Sequence, residues 1–160
     1  MKKKVALILL SMLCLSGIAS AGWTPIRLCL YPEIAVPQGL NTYGLNIGFV
    51  TGHLKGSQQI AGLDVSLAST SSVHGVQASI VNLNCCDDIG TVGLQIAGAN
   101  FGIECDGVQI AGINTANKSE VVQIGIWNSS YDGEGVQIGL FNLMDNGFLP
   151  FCPFINFSVD

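Results

Sequence analysis

The chain repeats one eight-residue unit along most of its length, and that repeat restricts the fold more than any other feature. Its clearest copies are Gly107-Val108-Gln109-Ile110-Ala111-Gly112-Ile113-Asn114, the segment 121–128, and Gly135-Val136-Gln137-Ile138-Gly139-Leu140-Phe141-Asn142. Earlier copies run over 93–100 and 75–82, and weaker ones over 57–64 and 44–51. The starts at 44, 57, 75, 93, 107, 121 and 135 give intervals of 13, 18, 18, 14, 14 and 14 residues. A recurring unit of this kind points to a repeat architecture, in which each copy packs chiefly on its neighbours.

The columns are chemically narrow. The third position reads Asn46, Gln59, Gln77, Gln95, Gln109, Gln123 and Gln137, and the fourth is almost always Ile. The fifth is Gly, Ala or Ser, and the eighth is Asn in the copies ending at Asn82, Asn100, Asn114, Asn128 and Asn142. Apolar residues at positions two, four and six alternate with Gln and small residues. Period two with β-branched side chains predicts strands, and interior glycines argue against helix. Parallel stacking would set Gln over Gln and Asn over Asn as amide ladders, whereas an antiparallel meander would send the closing Asn to alternate ends. The expectation is therefore an all-β solenoid of about seven short coils, with a small antiparallel β-barrel or meander as the competing arrangement. Positions two, four and six are expected to face the core. A second apolar column at position seven (Val50, Leu63, Val81, Ala99, Ile113, Trp127, Phe141) is expected on the opposite pleat face. There Ile113, Trp127 and Phe141 form a candidate contact stripe, unless a terminal segment covers them.

The flanks differ from the repeats. Lys2 to Lys4, the apolar run 5–15 and Ala19-Ser20-Ala21 form the three regions of a secretory signal peptide, predicted over 1–21. The apolar run is too short for a spanning helix, which needs about 20 residues. Residues 22–43, with Pro25, Pro32 and Pro37, are expected as an N-terminal cap, 44–142 as the β-repeat domain, and 143–160, with Pro150 and Pro153, as a C-terminal cap. Beyond residue 21 only Arg27, Lys55 and Lys118 oppose the chain's 11 acidic residues, which excludes a basic nucleic-acid footprint. A hydrophobic content of 49% excludes intrinsic disorder.

The repeats resemble those of a bacterial family of exported surface repeat-containing proteins with Gly-Val-Gln-Ile-Gly-Leu-x-Asn-type units. The likeness covers about residues 44–142, and the ending 147–157 is similar to that family's closing segment. It implies export and a surface or envelope location, and it brings no catalytic residues. The two 18-residue intervals and the cysteines depart from the pattern.

Candidate sites are few. Export favours disulfides, and Cys85 or Cys86 with Cys105 is the candidate pair, Cys29 and Cys152 being the others beyond the signal. Adjacent cysteines lack the spacer of zinc knuckles, so no metal site is expected. Nor do the acidic turns carry a calcium repeat. His53 and His74 are placed in turns with no catalytic partner. The amide ladders are assigned to Gln95, Gln109, Gln123 and Gln137, and to Asn100, Asn114, Asn128 and Asn142. The function expected is that of a non-enzymatic exported repeat protein, a structural or binding surface in the bacterial envelope. Its partner would be an unknown protein or glycan, with no nucleic acid and no cofactor. Membrane association, and self-association through the apolar stripe, are further contacts this reading admits. The competing function is a small outer-membrane β-barrel.

Overall fold

The structure, a computed structural model, describes residues 22–32, 34–52, 59–84 and 91–158, the side chains of 118 and 119 excepted. The named elements are all strands: β1 (Trp23–Tyr31), β2 (Ile34–Val36), β3 (Asn41–Thr51), β4 (Ile60–Ser69), β5 (Val73–Ala78), β6 (Val81–Asn84), β7 (Thr91–Ile96), β8 (Ala99–Met144) and β9 (Phe151–Phe157). They wind into a β-solenoid of about six turns. The length of β8, 46 residues, reflects successive coils that run into one another without a break in ladder pairing.

Rungs stack parallel. On one face β1 pairs with β3, β3 with β4, β4 with β5, β5 with β7, and β7 with β8. On the second face β6 joins β4 to β8. This parallel pairing is not that of a meander or barrel. Antiparallel pairing occurs at the two ends, where β2 folds back on β1 and β9 lies against β8. Reversed end strands oppose edge-to-edge growth of the stack. The terminal segments thus add strands β1 and β9 to the sheet, each with a break in register.

Glycine sets the register. Gly44, Gly62, Gly75, Gly93 and Gly107 stack in consecutive rungs. A Cβ on Gly93, whose φ is +130°, would lie 2.1 Å from the Gly75 carbonyl oxygen. The second copy is therefore aligned through Gly62, and Asp64 stands opposite Asn46 and Gln77 in the third column. The expected copy at 57–64, aligned through Gln59, is corrected by this. The Gln59-Ile60-Ala61-Gly62 match is out of register because its glycine falls on the wrong column. For the same reason Leu63 lies in the column of Leu45 and Val76, and Ala68 takes its expected place beside Val50 and Val81.

The largest departure is which way the repeat faces. Gln77, Gln95, Gln109, Gln123 and Gln137 are buried, as are Asn82, Asn100, Asn114, Asn128 and Asn142. The isoleucines at position four point outward, Ile96, Ile110, Ile124 and Ile138 being between 38% and 42% exposed. The expected apolar core at positions two, four and six is thus inverted, Phe49, Ile80, Ile126 and Leu140 at position six being exposed as well, and the position-seven column shares the exterior with the isoleucines instead of lying on the opposite side. The unit is not one straight strand. It turns a corner at positions five and six, which reverses the alternation so that Gln at three and Asn at eight both point inward. A Cβ on Gly139 would lie 2.1 Å from Gly125 O and 2.6 Å from Asn128 Nδ2, which explains the small residues at position five. Apolar burial is confined to a few residues, Ile60, Val73, Val121 and Met144 the largest among those described.

Candidate functional site

Two hydrogen-bonded amide columns fill the interior. Gln137 Nε2 donates to Gln123 Oε1 at 2.8 Å, Gln123 to Gln109 at 2.8 Å, Gln109 to Gln95 at 2.7 Å, and Gln95 to Gln77 at 2.9 Å. In the second column Asn82 Nδ2 donates to Asn100 at 2.7 Å, Asn100 to Asn114 at 2.9 Å, Asn114 to Asn128 at 2.9 Å, and Asn128 to Asn142 at 2.8 Å. The Gln column donates toward the N-terminus and the Asn column toward the C-terminus, so their amide dipoles oppose. Asn114 and Asn128 also donate to the carbonyls of Ile124 and Ile138, tying the two faces together across the corner.

An accepting end group, the Asp64 carboxyl, gives the Gln column its direction. Gln77 Nε2 donates to Ser69 Oγ at 2.7 Å, and Ser69 Oγ donates to Asp64 Oδ2 at 2.6 Å. An ionised carboxylate only accepts. Ser69 must spend its proton on it and receive one from Gln77, and every Gln above follows suit. Asp64 also accepts from Thr51 Oγ1 and Asn46 Nδ2, each at 2.8 Å. Burial pushes the Asp64 carboxyl above its ordinary pKa, against the opposing pull of these hydrogen bonds and of the Arg27 charge. Arg27, equally enclosed, is lowered by burial. At the far end Gln137 Oε1 has no hydrogen-bond partner. Asp64 and Arg27 escaped the sequence reading. The signal was present: Asp64 follows Gly62 by two residues, and Arg27 alternates with Ile26 and Leu28 as Gln alternates with its neighbours.

The exterior carries the apolar side chains in continuous columns. Leu28, Ile47, Val65, Ala78, Ile96 and Ile110 stand in successive rungs of the first face. At the corner, Phe49, Leu67, Ile80, Ile126 and Leu140 are at least half exposed. Two grooves open along this corner, one of about 490 Å³ among Leu28, Leu30, Ile34, Val36, Phe49 and Leu67, the other of about 460 Å³ among Ile126, Ile138, Leu140, Phe154 and Ile155. On the second face Ile113, Trp127 and Phe141 lie exposed at 44%, 42% and 44%, and Trp127 and Phe141 rings sit 5.8 Å apart. Phe151 of β9 meets Phe141 at 6.3 Å without closing the stripe off.

Among the described residues the exposed acids gather on the opposite edge, where the later coils return from the second face to the first. Glu104, Asp106, Glu120, Asp132, Glu134 and Asp145 are exposed there. Glu120 N donates to Asp106 Oδ1 from one rung to the next. The coils from residue 99 onward therefore run between an acidic edge and an apolar corner, whereas in the earlier rungs the column of Asp106 holds Val92, His74 and Ala61.

Of the other expected sites, Cys85, Cys86 and His53 lie outside the described residues. Cys105 is buried in the interior column that also holds Thr91. Cys29 is a buried thiol donating to Val50 O, and burial raises its pKa. His74 lies in strand β5 rather than in the turn expected for it, because residues 73–78 complete a rung. No cluster of three metal-ligating side chains occurs among the described residues. No helix among them is long and apolar enough to cross a membrane. Comparison with protein-family models, with curated proteins and with solved structures finds no match to this chain.

Proposed function

We propose that the protein is a non-enzymatic repeat protein exported to the bacterial envelope, where its exterior serves as a structural or binding surface. The observation that carries this reading is the inversion of the repeat. Hydrogen-bonding capacity is spent inside, in ladders that largely satisfy one another, while the side chains best able to bind by the hydrophobic effect stand outside in ordered columns. Exposed apolar area on this scale marks an interaction surface in a folded protein. Export rests on the leader pattern at 1–21 and on the likeness of the repeats to exported surface proteins.

Fractionation of a bacterium expressing the full chain, with mass spectrometry of its N-terminus, tests the reading. Recovery of a chain beginning at Gly22 in the envelope fractions is expected. An intact N-terminus on a protein confined to the cytoplasm would overturn it.

A further inference from the structure

We infer that the partner of this exterior is lipid. The solenoid would bed its apolar corner and adjoining faces into a bilayer leaflet, with its axis in the membrane plane and its acidic edge toward water. The inference rests on the reading that the apolar exterior is the binding surface.

The first argument is extent. A single protein partner would cover about 800 Å² on one side. Here apolar columns occupy both faces and the corner between them, from Leu28 near one end to Ile155 near the other. A fluid partner can follow such a surface around the corner, where a single rigid partner meets one face. The second is charge. The exposed acids among the described residues lie on the edge opposite the corner, so immersion of the corner desolvates none of them. Burying one carboxylate in hydrocarbon would cost more than most apolar contacts return. The third is hydrogen bonding. The backbone of the faces is bonded from rung to rung, and the interior amides are bonded to each other. Lipid, which offers no donors to an apolar chain and takes none, leaves that network intact. The fourth is shape. The two corner depressions are shallow and lined mainly by Leu, Ile, Val and Phe, an open apolar relief that acyl chains can follow.

The test is flotation of the full, leaderless chain with phosphatidylcholine vesicles, at low and at high salt, read together with quenching of Trp127 by brominated acyl chains. The expected result is salt-insensitive flotation with tryptophan quenching. The paired change Ile110→Lys and Ile124→Lys should lower the bound fraction by at least about tenfold while preserving the β-sheet circular dichroism. Glu120→Gln should leave it unchanged. Binding that high salt abolishes, or that survives the paired lysines, would overturn the inference. A protein that ignores vesicles but assembles into discrete oligomers would overturn it too, yet leave the apolar exterior as the binding surface. A monodisperse monomer indifferent to vesicles would remove both.

Discussion

At the scale of single residues, stability rests on amides and one carboxylate. Gln109 receives a hydrogen bond from Gln123 and gives one to Gln95. Gln109→Leu keeps the bulk but strands two buried polar groups, each worth about 1–3 kcal/mol. We expect a loss of about 2–6 kcal/mol in urea unfolding, a comparable loss for Gln137→Leu, whose Nε2 donates to both Gln123 Oε1 and Leu143 O, and almost none for Ile110→Lys or Ile124→Lys on the outside. Asp64 supplies a pH dependence. Its carboxyl is raised in the folded state, so the native protein binds its proton more tightly than the unfolded chain does. Stability from this group is fully present below the unfolded value of about 3.9 and falls as pH rises through the higher folded value. Unfolding midpoints measured across that window should decline for the native chain, and Asp64→Asn should lack that decline.

At the scale of the element, the coil is held by what it cannot accommodate. Gly107 has φ +128°, and a Cβ there would lie 2.2 Å from Gly93 O. Gly107→Ala should cost several times the roughly 1 kcal/mol of an ordinary glycine replacement, or prevent folding outright, as circular dichroism of the purified variant would show. Much of this element was legible in sequence: the strand period, the parallel stacking, and the like-on-like columns of Gln95 to Gln137 and Asn100 to Asn142. The facing was not. Alternation tells which residues share a side and leaves open which side is inside. The usual preference for apolar cores chose wrongly, because a narrow coil has room for an amide pair but little for packed Ile. The corner at positions five and six was visible only as small residues. The register of the second copy failed because a four-residue match outweighed the one glycine whose conformation the stack requires. The Asp64 terminus of the ladder was hidden by that same error.

At the scale of the whole molecule, the solenoid is amphipathic in cross-section. Among the described residues six exposed acids mark one edge of the later coils, and exposed Leu, Ile, Phe and Trp cover the corner and faces. Reversed strands at both ends leave the flanks, rather than the ends, as the contact surface. Stacked aromatic rings finish the C-terminal end, Phe148 and Phe157 lying 5.7 Å apart. All of this depends on the amides being inside and the isoleucines outside. Hydrogen exchange of the glutamine and asparagine side-chain amides, followed by NMR on the unaltered protein, tests that arrangement most directly. We expect the Nε2 protons of Gln95, Gln109 and Gln123 to exchange only as the solenoid opens, far more slowly than the exposed side-chain amide of Asn117. Exchange of the ladder amides at the rate of free glutamine would place them in solvent and contradict the account.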